Sequence, residues 1–462
     1  MSQLSFASLH IRPDLLTNLS SLGYDTMTPI QAQGLPYILK GHDVIAQGKT
    51  GSGKTAAFGL GLLERLNSER YEIQSLVLCP TRELADQVAQ EIRKLARTIG
   101  NIKVLTLCGG VPFKPQADSL EYGAHIIVGT PGRIKDHLSK ETLKLTSVNT
   151  LVLDEADRML EMGFQSALDA IVAQVPAQRQ TLLLSATFPD KIKNIAKQTM
   201  NNPVTVEVES KHDNTSITQY FYEVASDEDR FTALRLLLSG LNPESVVVFC
   251  NTKREAQHIT DKLIEEGFSA LDLTGDLEQR DRDQTLVQFA NKSISILIAT
   301  DVAARGLDID NLDAVINYEL AHDAESHLHR IGRTGRAGSK GIAYSLFSVK
   351  DGYKMTQLED YFEQSFQAGA LPSLSNLDKP VRKALMATLQ IGGGKKQKVR
   401  AGDILGALTG EHGIQSKQVG KIQIFDNWAY VAVSRDIVQT AIKKIDAGKI
   451  KGRSFRVRLI GK

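Results

Sequence analysis

Eight residues, Gly48-Lys49-Thr50-Gly51-Ser52-Gly53-Lys54-Thr55, constrain this chain more than any other stretch. They match the pattern G-x-x-x-x-G-K-[ST] in full. Asp43-Val44-Ile45-Ala46 before them reads as a buried strand, and Ala56 to Leu66 after them as a helix with an apolar face. A strand that turns through glycine into a helix aims backbone N–H groups at an anion, and the helix adds its positive end. Gly51 and Gly53 belong to that cradle. Lys54 is placed to reach the β- and γ-phosphates of ATP, and Thr55 to hold Mg²⁺. A second strand, Leu151-Val152-Leu153, ends in two carboxylates. Asp154 is suited to hold Mg²⁺ through water, and Glu155 to orient the attacking water. Two acids at the end of a buried strand require a cation or a metal.

Apolar strands alternate with helices on both sides of this loop. The pattern predicts a parallel sheet covered on both faces over about residues 1–207. Expected strands are Ser75–Cys79, Lys103–Cys108, His125–Val128, Thr150–Leu153 and Gln180–Ser185, with a helix over Glu83–Ile99. Ligands collect where such strands end. The loops there carry Thr81 and Arg82, Gly109 and Gly110, Thr130 and Arg133, and Ser185 to Thr187. Upstream, Gln31 has an amide able to donate and accept on one purine edge, and Phe6 a ring able to stack on it.

After a polar stretch at 210–216 the alternation restarts over 218–369. Expected strands are Ser245–Phe249, Ala270–Leu273, Ser295–Ala299, Ala314–Tyr318 and Ile342–Phe347. Expected helices are Arg254–Glu266, Arg280–Ala290 and Ala324–Ile331. No second phosphate loop occurs. This half offers arginine instead, in His329-Arg330-Ile331-Gly332-Arg333-Thr334-Gly335-Arg336, with the arginines three apart on one helical face. Guanidinium forks suit γ-phosphate oxygens. Asp308 is placed to accept from ribose hydroxyls.

The net charge of +2 hides an asymmetry. Residues 381–462 carry 17 Lys/Arg against 5 Asp/Glu, a net of +12, and the other 380 residues carry 38 against 48, a net of −10. A basic module joined to a mildly acidic body points to a polyanionic partner. Cys79, Cys108 and Cys250 lack metal-ligand spacing and read as buried thiols. No apolar run reaches the length of a membrane span. A cytoplasmic protein is expected.

Taken together, these motifs resemble the DEAD-box RNA helicases, over about residues 4–360. The family name is carried by Asp154-Glu155-Ala156-Asp157. The resemblance implies two tandem RecA-like α/β domains. It implies an adenine-reading set of Phe6, Gly23, Thr28, Pro29 and Gln31. Lys54, Asp154, Glu155, Arg333 and Arg336 become catalytic, the last two as arginine fingers. Thr81, Arg82, Gly109, Gly110, Thr130 and Arg133 in the first domain, and Asn251, Thr252, Gly275, Asp276 and Thr300 in the second, become RNA contacts. Ser185, Thr187 and His329 would couple hydrolysis to strand separation. Arg305 and Asp308 match the loop that meets nucleotide. Thr274 stands where many relatives have histidine, which removes one ring beside the RNA track.

The remainder, 396–462, reads β-α-β-β-α-β, the order of an RNA-recognition (RRM-like) α+β domain. Expected strands are Lys396–Arg400, Val419–Phe425, Trp428–Val433 and Ser454–Leu459, with helices at Asp403–Leu408 and Arg435–Asp446. A short helix is expected at Val381–Leu389 and a flexible joint at 391–396. Trp428 and Tyr430 partly fit the aromatic RNA-binding signature, yet equally fit a core. Lys395, Lys396, Lys398, Arg400, Lys449, Lys451, Arg453, Arg456 and Arg458 suit phosphates. The tail also resembles that of family members that grip a hairpin of 23S ribosomal RNA and act on pre-50S particles. It implies no dedicated protein partner. A general RNA chaperone, a non-catalytic ATP-gated clamp and a DNA translocase are the competing readings.

Overall fold

The computed structural model describes residues 4–48, 51–188, 190–208, 217–304, 312–335, 340–410 and 413–461. The chain divides into two compact units, 1–212 with 306–308, and 213–305 with 309–462.

The first unit is built on seven strands: β1 (Val44–Gln47), β2 (Ser75–Leu78), β3 (Val104–Leu107), β4 (Ile126–Gly129), β5 (Thr150–Leu153), β6 (Gln180–Ser185) and β7 (Val204–Glu207). Their order is β3-β4-β2-β5-β6-β1-β7, and every pairing is parallel. Successive side chains of a strand point to opposite faces, so a sheet covered on both sides needs apolar residues at every position. The strands comply. Val77, Val152, Leu182 and Leu184 join Phe58 and Leu62 in one core, while Leu76, Leu78, Leu151, Leu153 and Leu183 join Met159 and Ile171 in the other. The strand order has a chemical consequence. β5, β6 and β1 are neighbours, so the loops that follow them emerge side by side.

The second unit contains β8 (Ile217–Glu223), β9 (Val246–Cys250), β10 (Ala270–Leu273), β11 (Ile296–Thr300), β12 (Ala314–Asn317) and β13 (Gly341–Phe347), again all parallel, in the order β10-β11-β9-β12-β13-β8. The expected helices lie at Lys253–Glu265, Gln279–Ala290 and Ala324–Ile331. Sequence reading missed β7 and β8. Both are sheet-edge strands in which polar residues interrupt the apolar ones, so they lack the apolar run that marks an inner strand.

A third sheet, antiparallel, has the order β15-β16-β14-β17, with β14 (Met386–Ile391), β15 (Val419–Ile424), β16 (Ala429–Ser434) and β17 (Val457–Ile460). Here two expectations fail. Residues 386–391 form a central strand, not the end of a helix, and 396–400 form no strand. Lys395–Gln397 is one 3-10 turn, held by Lys395 N–H to Phe425 O at 2.8 Å and Lys396 N–H to Asp426 O at 2.9 Å. Ala384-Leu385-Met386-Ala387 has helix propensity, but pairing with β16 on one side and β17 on the other overrides it. Ala387, Leu389 and Ile391 face the module's own core with Ile404, Leu408 and Ile445.

The opposite face of this sheet is not open. Tyr430 is fully buried with Val287 and Ile460, and Val287 belongs to the helix Gln279–Ala290 of the preceding domain. Thr388 Oγ1 meets Asn291 Nδ2 at 3.1 Å and Ser293 Oγ at 2.7 Å, both pairs buried. Arg280 lies 5.9 Å from the Trp428 ring centre. The C-terminal module is thereby seated on the second parallel-sheet domain through its own sheet.

Candidate nucleotide and RNA sites

The loop after β1 keeps the features that a phosphate cradle needs. Gly53 has φ +92°, and a Cβ there would stand 2.6 Å from Gln31 Nε2, so only glycine fits. Lys54 begins the helix Lys54–Arg65 and is 9% exposed. Burial pulls its ammonium below the usual lysine range, against the opposing pull of Asp154 and Glu155. Its Nζ donates to Gly48 O. Ser52 Oγ is buried without a hydrogen-bond partner among the described residues. Lys49 and Thr50 lie outside the described residues.

Gln31 does more than face a base. Its Oε1 accepts from Thr28 N–H at 2.9 Å and its Nε2 donates to Gly53 O at 3.0 Å, while Thr28 Oγ1 donates to Ser52 O at 2.8 Å. The expected adenine-reading segment is thus bolted to the phosphate loop. Phe6 is 2% exposed and edge-on to Tyr24, so it lies in the core and not on an open ledge.

Asp154 and Glu155 follow β5, one strand removed from β1 across β6. Asp154 is 3% exposed, and burial, then the neighbouring Glu155, pushes its carboxyl up to about 7. A cation bound beside it would favour the ionised form and pull that value back down. With the cradle and the orphaned Ser52 hydroxyl, this donor set is chemically suited to Mg²⁺ bound with a nucleotide phosphate, for which Thr55 and Asp154 would be the protein ligands. Among the described residues no cluster of three His, Cys, Asp or Glu side chains forms a protein-only metal site.

Two residues that sequence reading left without a role complete this corner. Asp157 Oδ2 accepts from Ala186 N–H and Thr187 N–H, both at 3.0 Å, and from Thr187 Oγ1 at 3.1 Å. Ser185 Oγ donates to Thr187 O at 2.6 Å, and Gly48 N–H to Ser185 O at 3.1 Å. The loop after β6 therefore touches both the phosphate loop and the acidic run. Arg158 is 4% exposed, and its Nη1 donates to Glu155 Oε2 at 3.2 Å.

The expected RNA contacts of the first unit cluster at the strand ends but are largely engaged. Thr81 caps the helix Arg82–Leu95 by accepting from Leu84 N–H. Arg82 fills the space over Gly110, whose φ is +70°. Gly109 and Thr130 lie just beyond the ends of β3 and β4, and Arg133 donates to Gln116 Oε1 at 2.8 Å and Val111 O at 3.0 Å.

In the second unit one arginine organises the site, and it was not singled out from sequence. Arg330, 1% exposed, donates to both oxygens of Asp301 at 2.6 and 2.7 Å, to Asn251 Oδ1 at 2.7 Å and to Glu319 O at 2.7 Å. Asn251 also donates to Leu320 O at 3.0 Å, so its amide is taken up inside this network and not directed outward. The helix ends at Ile331, which corrects the expectation of three arginines on one helical face: Arg330 points inward and Arg333, also buried, lies beyond the helix. His329 is half-buried on its last turn. Thr252 caps the helix Lys253–Glu265, Thr300 ends β11, and Asp276 pairs with Lys253 beside the exposed Gly275. Arg305, Asp308 and Arg336 lie outside the described residues.

In the C-terminal module, Lys395, Lys396, Lys398, Arg400, Lys449, Lys451, Arg453, Arg456 and Arg458 are all exposed. Lys451 Nζ reaches Lys398 O at 3.4 Å, which joins the two basic turns. Arg458 Nε donates to Gln390 Oε1 at 2.6 Å. Tyr430 is a core residue, its ring packed at the domain seam, and Trp428 lies half-buried against Arg280.

Comparison with known proteins agrees with this arrangement. Residues 28–195 match the DEAD/DEAH box helicase family, 229–338 the helicase conserved C-terminal domain, and 388–459 the DbpA RNA binding domain. The chain is 52% identical over 457 residues to ATP-dependent RNA helicase DbpA of Escherichia coli, covering 99% of each chain. It is 36% identical over 478 residues to the Bacillus subtilis protein of that name, again covering 99% of each. A solved structure of S. cerevisiae Dbp5 bound to RNA and ADP BeF3 superposes with a TM-score of 0.70 at 32% identity, over 80% of this chain and 95% of that one. The chain belongs to the DEAD-box family of ATP-dependent RNA helicases and is closely related to bacterial DbpA.

Proposed function

We propose that this helicase uses ATP and Mg²⁺ to remodel 23S ribosomal RNA locally during assembly of the large subunit, acting in the cytoplasm on pre-50S particles. The observation that carries the targeting is the seating of the C-terminal sheet on the helix Gln279–Ala290. That seating withdraws the sheet face from base stacking and leaves two fastened basic turns, around Lys395–Arg400 and Lys451–Arg458, as the exposed surface for phosphate. The match to a DbpA-type RNA-binding domain supports RNA as the ligand of that surface.

In the catalytic corner, Lys54 would leave Gly48 O for the β- and γ-phosphates, and Thr55 and Asp154 would hold Mg²⁺. When bound, Mg²⁺ neutralises charge on the phosphate oxygens. Glu155 orients the water that attacks the γ-phosphate. Arg333 and Arg336 stabilise the charge that develops there, a contribution worth roughly 10³–10⁵ in rate when an arginine is supplied from another domain. RNA contacts through Thr81, Arg82, Gly109, Gly110, Thr130, Arg133, Thr252, Gly275, Asp276 and Thr300 run mainly to the backbone, so the core has little sequence preference of its own. Asp157 and Thr187 connect RNA-side movement to the phosphate loop. Among the described residues, no helix is long and apolar enough to cross a membrane.

Crosslinking in cells followed by mapping of the bound RNA tests this reading. Sites concentrated on large-subunit ribosomal RNA are expected. Sites scattered over unrelated transcripts would instead mark a general RNA chaperone.

A further inference from the structure

Glu155 sits in an unusual backbone conformation. Its φ and ψ are 52° and 53°, the left-handed region that side chains other than glycine seldom adopt. Strain of this kind persists only where the surroundings over-determine it. Glu155 is the N-cap of the short helix Ala156–Glu161, and it makes no side-chain capping bond there.

Two consecutive residues of that helix reach in different directions. Asp157 takes the loop after β6, as described above. Arg158 turns back one helical turn to Glu155, with Nη1 3.2 Å from Oε2 and side chains 5% and 10% exposed. A buried guanidinium is costly unless paired, so its placement is rarely incidental. Glu155 is the one side chain that accepts a hydrogen bond from the Arg158 guanidinium among the described residues. Among the described residues, Lys54, Asp154 and Asp157 are the other charged groups that act on one another in this corner. Lys54 answers Asp154 and Glu155 from the phosphate loop, and Arg158 answers Glu155 from the helix side.

We propose that Arg158 is a positioning residue for ATP hydrolysis: it holds the Glu155 carboxylate, on its strained backbone, in the orientation from which it aligns the attacking water. It acts through Glu155 and not on the nucleotide. Misplacing a reactive group by about 1 Å can cost on the order of 10²-fold in rate, and this sets the scale of the effect.

The inference rests on Glu155 as the water-orienting carboxylate, and Glu155→Gln tests that separately. If Glu155→Gln turns over ATP like the parent, the site reading fails, whatever Arg158 does. Given an inactive Glu155→Gln, the decisive set is Arg158→Met, Arg158→Gln and Arg158→Lys in the full chain, with saturating RNA. Arg158→Met should lower kcat by about 10- to 100-fold with KM for ATP within about twofold of the parent. Arg158→Lys, which keeps the charge and a donor, should recover most of the loss. Parent-like or raised turnover in Arg158→Met overturns the proposal. So does a joint loss of kcat and of binding of a fluorescent ATP analogue that lysine does not rescue, which marks a purely structural residue. If Arg158→Met does not fold, Arg158→Lys must outperform the polar but uncharged Arg158→Gln, and equal losses in those two overturn it as well.

Discussion

Thr187 is tied to Asp157 twice over: its backbone N–H at 3.0 Å and its hydroxyl at 3.1 Å both donate to the same carboxylate oxygen. One loop is thereby clamped to the acidic run, and through Ser185 O it also takes the N–H of Gly48 in the phosphate loop. In the mechanism proposed above, this clamp would be the route by which hydrolysis and strand separation share one loop. Thr187→Val combined with Ser185→Ala removes the hydroxyl bonds but leaves the backbone ones. Duplex unwinding is expected to fall at least tenfold, and RNA-stimulated ATP turnover by no more than about threefold; each lost bond to a charged group is worth about 1.5–3 kcal/mol. Equal losses in the two assays would show that the loop serves chemistry alone.

Lys54→Ala and Glu155→Gln should each reduce ATP turnover by at least about 10²-fold, the range seen when a preorganised electrostatic partner is removed. Both side chains are buried, at 9% and 8% exposure, so binding of the nucleotide and thermal unfolding should be followed alongside. Turnover near the parent's in either variant contradicts the assignment.

Asp154 gives the pH dependence its sign. Its carboxyl is raised from 3.8 to about 7 in the fold, chiefly by burial and then by Glu155. The folded state therefore holds a proton that the unfolded state has released, between pH 4 and 7. Its contribution to stability falls as pH rises through that window. Asp154→Asn cannot ionise. In the absence of nucleotide and metal, it should melt above the parent at pH 8, with the gap closing toward pH 4; a difference of 1 kcal/mol corresponds to roughly 2–4 °C in a domain of this size. A gap independent of pH contradicts the raised carboxyl.

The buried seam makes a different pair of predictions. Tyr430→Ala leaves a cavity between the C-terminal module and Val287, at a cost of about 3 kcal/mol or more. Trp428→Ala should change RNA affinity by less than about twofold, because the ring lies against Arg280. A stacked base would be worth roughly 1–3 kcal/mol. A tenfold loss of RNA affinity with Trp428→Ala would restore base stacking as its role.

What could be read in advance follows from where the information lies. The inner strands β1, β2, β5, β6, β9 and β11 announce themselves as apolar runs, and the phosphate loop is a contiguous spacing. Edge strands β7 and β8 do not, since half of their positions meet water. β14 was hidden for another reason: Met386, Ala387 and Leu389 favour a helix locally, and only pairing on both sides makes them a strand. Tyr430 fitted an RNA-binding pattern because such a sheet presents an aromatic there. What covers that aromatic is Val287, more than a hundred residues earlier, and no local pattern shows it. Arg330 reads in sequence only as one of three evenly spaced arginines, and Arg158 carries no signal at all. Spacing identifies an arginine on a helix, but only the fold shows whether it faces a ligand or an Asp301 or Glu155 of its own chain.

The claim that unites catalytic core and tail is tested most directly by ATP turnover of the full chain, measured at matched concentrations of a large-subunit ribosomal RNA fragment and of an unrelated RNA of equal length. Much stronger stimulation by the ribosomal fragment is expected, with the preference lost when Lys395, Lys396, Lys451 and Arg453 are replaced by glutamine. Equal stimulation by the two RNAs would contradict it.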